Sequence, residues 1–140
     1  YPQDIEHAVQ DASTAVRPGC VVAFSSNETG KDGQLEIVFE IRSKMASVVD
    51  TVFDEIQEAV VEKIGLMPSR IVAIEERTMA KTTSGKVQRR NNRMLLHAGQ
   101  QKVVLDKSFG QTIDMSMEFS AEINASIEAK RSLRNVKRRS

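Results

Sequence analysis

Apolar side chains recur along this chain at two different spacings, and the spacing changes where glycine and proline stand. Ile5, Val9, Ala12 and Val16 follow one another at three to four residues, which predicts a helix opening at Pro2, whose ring suits a first helical turn. Asp4 and Glu6 lie near its positive end, and Arg17-Pro18-Gly19 is expected to terminate it. Residues 20–24 (CVVAF) form a short, wholly apolar run, read as a buried strand. Residues 25–33 are polar with two glycines, hence a loop. Leu35, Ile37, Phe39 and Ile41 then alternate with Glu36, Val38, Glu40 and Arg42. That period of two predicts a half-buried strand, hairpin-paired with the one before it.

The period then returns to helical. Val49, Val52, Phe53, Ile56, Val60 and Ile64 make one apolar stripe, with Asp54, Glu55, Glu58 and Glu62 on the other faces. Ser47 and Asp50 stand three apart, close to a capping box, and Gly65 then Pro68 stop the helix. Residues 70–74 (RIVAI) read as a third strand, and 78–86, rich in Thr and Ser, as a loop. Val87, Met94, Leu95 and Ala98 mark one face of a last helix ending at Gly99, and 103–105 adds a short strand. The expected fold class is α+β, a small sheet of about three to four strands flanked by helices over residues 1–105. Residues 106–140 are expected to be a linker or tail, partly disordered or helical, with Phe119, Ile123 and Ile127 hinting at the helix.

Composition narrows the chemistry. The chain has 140 residues, 40% apolar but only 4% aromatic with no Trp, so its core is aliphatic. Cys20 is the sole cysteine, which leaves no intrachain disulfide and no Cys cluster. With only His7 and His97 besides, no metal site is expected. Cys20 itself, inside an apolar run, reads as an inert core thiol. No run approaches the roughly 20 apolar residues of a membrane span, and no leader marks secretion, so a cytoplasmic location is expected. The net charge of +1 hides a segregation. Residues 1–79 carry 7 basic and 14 acidic side chains, whereas 80–102 carry Lys81, Lys86, Arg89, Arg90, Arg93 and Lys102 with no acid. Such a segment is either a solvated basic face or a site for something anionic.

That cationic segment opens with Ala80-Lys81-Thr82-Thr83-Ser84-Gly85-Lys86-Val87-Gln88-Arg89-Arg90. It is not a nucleotide cradle of the phosphate-loop kind. That pattern needs a glycine five residues before the Gly-Lys pair and a hydroxyl after the lysine, and here Ala80 and Val87 occupy those places. KTTSGKVQR instead resembles the last motif of the adenylate-forming enzymes, usually Pro-Lys-Thr-x-Ser-Gly-Lys-[Ile/Val]-x-Arg. Tyr1-Pro2-Gln3-Asp4-Ile5-Glu6 and Arg17-Pro18-Gly19-Cys20 are similar to the fatty acyl-AMP ligase branch. The resemblance spans residues 1 to about 109. It departs at Ala80, where the family has proline, and this departure is expected to loosen the start of the loop.

The resemblance implies a carboxy-terminal lid domain, with a larger amino-terminal adenylation domain as its partner. That larger domain would hold most of the ATP, Mg²⁺ and fatty acid. Lys86 is then the catalytic residue, with Lys81, Thr83, Ser84 and Gly85 forming an ATP-binding loop. Gly85 permits the turn that presents Lys86, and Thr82 bonds within the loop. The implied reaction makes acyl-adenylate. After the lid rotates, the acyl group passes to the phosphopantetheine of an acyl carrier protein, with the first helix and the 25–33 loop as candidates for the meeting face. Coenzyme A as acceptor, and a non-catalytic interaction or lipid-sensing module, are the alternatives. A nucleic-acid binder using 80–102 and 129–140 would show steeply salt-dependent binding, and no such partner is expected.

Overall fold

A computed structural model of the chain describes residues 1–27, 29 and 33–114. The elements run α1 (Pro2–Ala12), β1 (Val16–Ser25), β2 (Leu35–Ile41), a 3₁₀ turn (Ser43–Val48), α2 (Val49–Ile64), β3 (Leu66–Met67), β4 (Arg70–Ile74), α3 (Arg89–His97), β5 (Val103–Ser108) and β6 (Ile113–Asp114). Four strands form one sheet in the order β1-β2-β4-β5, and β3 pairs with β6 apart from it. The β1–β2 and β4–β5 pairs are antiparallel, and β2–β4 is parallel. A parallel neighbour needs a crossover, which the stretch containing α2 supplies. This is the expected α+β fold.

The sheet is buried on both faces. On one, Val21, Ala23, Ile37, Phe39, Ile41, Ile71 and Ala73 meet Ile5 and Val9 of α1 and Val52, Phe53, Ile56 and Val60 of α2. On the other, Cys20, Val22, Phe24, Val38, Val72 and Ile74 meet Met79 and Leu96. β2, between two neighbours and two layers, is therefore buried at Glu36 and Glu40 as well. The half-buried reading of that strand is corrected: its polar positions face α3 and the chain leading to it, not solvent. The aliphatic core contains one aromatic pair, Phe39 edge-on to Phe53 at 5.8 Å.

Other boundaries differ for local reasons. α1 ends at Ala12, and Val16 already belongs to β1. Arg17-Pro18-Gly19 does not stop the helix but forms a bulge, with the register jumping between Val16 and Val21. Proline without an N–H and a glycine at φ 73° suit a bulge as well as a helix end, so the pattern is ambiguous. Ser47 lies in the 3₁₀ turn, the N-cap of α2 is Val48 without a side-chain cap, and the expected capping box is absent. Gly65 does end α2, at φ 81°, its N–H reaching the carbonyls of Val60 and Val61. On α3 the buried positions are Asn92 and Leu96, while Met94 is 54% exposed. An apolar count could not find a face whose central residue is an amide.

The described chain stays on the body beyond residue 105. β5 continues to Ser108, and β6 pairs with β3 at Leu66↔Asp114 and Met67↔Ile113. The Thr112 hydroxyl accepts the Leu35 N–H at 2.6 Å. The remainder of the expected tail, with Phe119, Ile123 and Ile127, lies outside the described residues.

Candidate functional site

The Lys86 segment folds as a closed finger on the α3 side of the sheet. Gly85 N–H donates to the Thr82 carbonyl at 2.9 Å, making a β-turn, and Thr82 N–H donates to the Lys86 carbonyl at 2.8 Å. Lys81 and Val87 form an antiparallel bridge below it, and Gln88 N–H reaches the Ala80 carbonyl at 3.1 Å. Residues 80–88 are thus a miniature hairpin with a three-residue tip, Gly85 taking its left-handed position at φ 87°. The Thr82 hydroxyl accepts the Lys86 N–H at 3.0 Å and lies 3.0 Å from Ser84 Oγ. Thr82 takes the internal role assigned to it.

Strand alternation sorts the lysines. Val87 packs partly buried against the α3-side core, and Lys81, paired with it, turns the same way. Lys81 Nζ lies 3.1 Å from the buried Cys20 Sγ. Lys86, one position on, is exposed, and its Nζ meets no hydrogen-bond or ion-pair partner among the described residues. Thr83 and Ser84 are exposed at the tip. The fold therefore brings Thr82, Thr83, Ser84, Gly85 and Lys86 together at one outward tip and sends the Lys81 side chain back toward β1.

No Cβ at position 85 would meet another atom within 4 Å, so backbone conformation, not space, demands glycine there. Gly85→Ala is expected to cost the hairpin about 1 kcal/mol, an L-residue's penalty in that region. The check is amide hydrogen exchange, with the Thr82 and Lys86 amides exchanging about fivefold faster than wild type and the sheet amides unchanged. Equal rates at Thr82 and Lys86 would show that the turn does not need glycine.

The finger is joined to the body through carboxylates that the sequence places on a solvated face. Glu40, 1% exposed, takes Arg17 Nη1 at 2.6 Å and Arg77 N–H at 2.8 Å on Oε1, and Met79 N–H at 3.0 Å on Oε2. Burial pushes its carboxyl up, but the two backbone N–H groups and the Arg17 guanidinium more than offset this, leaving it below the ordinary glutamate range. Arg77 sits at φ 65°, a conformation costly for a side-chain-bearing residue, which the tie to Glu40 helps to hold. Glu36 likewise takes His97 Nε2 at 2.6 Å and Arg70 Nη1 at 3.4 Å. His97 thus has a structural contact, its ring held at the Glu36 carboxylate although the residue is exposed.

The YPQDIE segment supplies a further tie. Glu6 Oε2 accepts Ala23 N–H of the edge strand β1 at 2.9 Å. Arg89 grips the same carboxylate with Nε at 3.0 Å and Nη2 at 2.8 Å. Gln10 Oε1 accepts the Gly19 N–H of the bulge at 2.9 Å. Beside α1 an open groove of about 270 Å³ is lined by Tyr1, Ile5, Phe24, Ser25, Gln34 and Thr112. Among the described residues no group of three or more His, Cys, Asp or Glu could hold a metal, and no helix is long and apolar enough to cross a membrane.

No family model matches the chain, and no curated protein matches it by sequence. Solved structures do. The fatty acid AMP ligase from Legionella pneumophila is 29% identical, with a TM-score of 0.63, over 77% of this chain and 19% of its own. A fatty acyl-adenylate ligase from L. pneumophila in complex with acyl adenylate and pyrophosphate is 28% identical, with a TM-score of 0.59 and the same coverage. A multidomain structure of a keto acid-selecting NRPS module, with adenylation, ketoreductase and pseudo-Asub domains, is 23% identical with a TM-score of 0.63 over 71% of this chain and 8% of its own, a likeness of fold alone. This chain spans about a fifth of the length of the ligases it matches. These likenesses fit a C-terminal domain of the adenylate-forming superfamily.

Proposed function

From a C-terminal domain of that superfamily, we propose that this chain is the lid of a fatty acyl-AMP ligase and that Lys86 is its adenylation lysine. The observation that carries the reading is an exposed ammonium with no partner among the described residues, at the tip of a self-closed hairpin. The reaction joins a fatty carboxylate to the α-phosphorus of ATP, releasing pyrophosphate. Both reactants are anions. A lysine that bridges carboxylate and α-phosphate offsets their repulsion and stabilises the charge that develops in the transition state. A compact ammonium on a long stem suits a site assembled only when the lid closes. Thr83, Ser84 and the backbone around Gly85 stand beside Lys86 and are assigned to the phosphate oxygens, whereas Lys81, turned toward Cys20 of β1, is left out of that assignment.

The ATP and Mg²⁺ of the reaction are assigned mainly to a larger adenylation domain, since the described residues offer no ligand cluster for a metal. In the second step the lid turns and a phosphopantetheine thiol, losing its proton, displaces AMP from the acyl-adenylate to form a thioester. The groove between α1 and β1 is assigned to that meeting, because it joins apolar walls from Ile5 and Phe24 to the polar groups of Ser25, Gln34 and Thr112.

The test is ATP–pyrophosphate exchange by the longer protein containing this lid and by this chain alone. Exchange is expected with added fatty acids and not with amino acids, and none from the chain alone. Acyl transfer is expected to a phosphopantetheinylated carrier protein and not to coenzyme A. Exchange with amino acids only would overturn the fatty-acid assignment. Transfer to coenzyme A only would overturn the acceptor. Exchange by the isolated chain would overturn the division of labour.

A further inference from the structure

Asn92 is fully buried, and it touches both ends of the Lys86 hairpin. Its Nδ2 donates to the Ala80 carbonyl at 3.0 Å and to the Gln88 carbonyl at 2.8 Å. Its Oδ1 accepts the Ala80 N–H at 3.2 Å and Gln101 Nε2 at 3.2 Å. Two donors and two acceptor sites are the whole capacity of a carboxamide, and here all four are used. Turning the amide over would set its NH₂ against two donors and its oxygen against two carbonyls, so the network fixes its orientation. An apolar residue would fill the same place between α3 and the sheet without holding the hairpin. A buried amide is costly unless satisfied, and its use here is local: three of its four bonds go to the two residues where the finger begins and ends.

The position clamped is the one at which the lysine motif departs from its usual form. A proline at 80 has no N–H to offer, whereas Ala80 has one and Asn92 takes it. The start of the hairpin is therefore fastened and not loosened, contrary to the expectation from the substitution alone. We propose that Asn92 is a positioning residue that holds both arms of the Lys86 hairpin to α3, replacing through a side-chain clamp the stiffness that Ala80 lacks. Its effect on catalysis rests on the adenylation reading above, while the clamp itself does not.

Two measurements keep these separable. The first is amide hydrogen exchange on this chain carrying Asn92→Leu. The Thr82, Gly85 and Lys86 amides are expected to exchange about tenfold faster, the value of one to two lost hydrogen bonds, with the Val38 and Val72 amides of the sheet unchanged. The second is kinetics on the longer ligase. Asn92→Leu is expected to lower fatty-acid-dependent ATP–pyrophosphate exchange about tenfold, while acyl transfer from supplied acyl-adenylate persists. Ala80→Pro together with Asn92→Leu removes the orphaned N–H and restores stiffness, so it should recover most of both losses.

Unchanged hairpin amides would overturn the proposal. So would equal loosening of hairpin and sheet, which would make Asn92 a support of the whole domain, or a double variant no better than Asn92→Leu. A clamp lost without any fall in exchange, in a ligase where Lys86→Ala abolishes it, would overturn the positioning role. If Lys86→Ala is itself silent, the adenylation reading falls instead, and the amide data alone decide the clamp.

Discussion

Lys86→Ala in the longer ligase is expected to lower fatty-acid-dependent ATP–pyrophosphate exchange by roughly 10²–10³-fold, the scale of removing one preorganised donor from a developing oxyanion. Two further readouts should not move. Acyl transfer from supplied acyl-adenylate should persist, because that step needs no bridge between carboxylate and α-phosphate. The melting temperature of the lid should also persist, since Lys86 Nζ has no partner among the described residues and an exposed substitution of this kind stays within about 0.5 kcal/mol. The hairpin should survive as well, because its closing bonds come from backbone groups and the Thr82 hydroxyl. Lys86→Arg should rescue only in part, a planar fork being a poor substitute for a compact ammonium between two oxygens. If exchange is unaffected by Lys86→Ala, the finger is structural. If the unaltered ligase shows no exchange with any fatty acid, the interaction-module alternative replaces the catalytic one.

The elements that could be read from the sequence are those in which one spacing had one meaning. The α2 stripe and the run at 70–74 lie where their patterns place them, and Gly65 caps α2 in the left-handed conformation. The alternation of β2 was legible but its surroundings were not. Glu36 and Glu40 have the pattern of a wetted face, and only the tertiary structure brings His97, Arg70, Arg17 and the chain at 77–79 over them. Arg17-Pro18-Gly19 fits two backbone solutions, a helix stop and a bulge, and the choice depends on the β1–β2 pairing.

For the site, the motif located the hairpin and the turn glycine, while what holds it in place was hidden. Asn92 lies in a basic, hydrophilic helix where nothing in the pattern marks a buried amide. Alternation across the Lys81–Val87 bridge would have told the two lysines apart, had 78–86 been read as a hairpin and not as an open loop. The supports act together. Met79 is buried in the core, Glu40 holds the backbone of residues 77 and 79, and Asn92 holds residues 80 and 88. Under the lid reading proposed above, a domain that turns as one body would need its lysine fixed to the sheet more firmly than a surface loop is, and these supports would leave the reorganisation to the domain and not to the finger.

Glu40→Gln is expected to destabilise the fold by about 3 kcal/mol at neutral pH, the low end for breaking a buried ion pair because Arg17 is partly exposed. The carboxylate accepts from three donors, one guanidinium and two backbone N–H groups, and an amide must turn its own NH₂ toward one side of that set. The loss should depend on pH in a definite direction. The Glu40 carboxyl lies below its ordinary range when folded, so its contribution is fully present above the unfolded glutamate value of about 4.3. As pH falls below that value the unfolded chain takes up the proton first, which favours unfolding, until the folded carboxyl is protonated too. Denaturant unfolding of wild type and Glu40→Gln, followed from pH 7 downward, should therefore show a constant gap to about pH 5 and a narrowing one below it. Parallel curves across the whole range would show that the Glu40 charge contributes nothing. A gap that narrows would show that the buried side of β2, read in sequence as its solvent side, stabilises the lid through an ionised carboxylate.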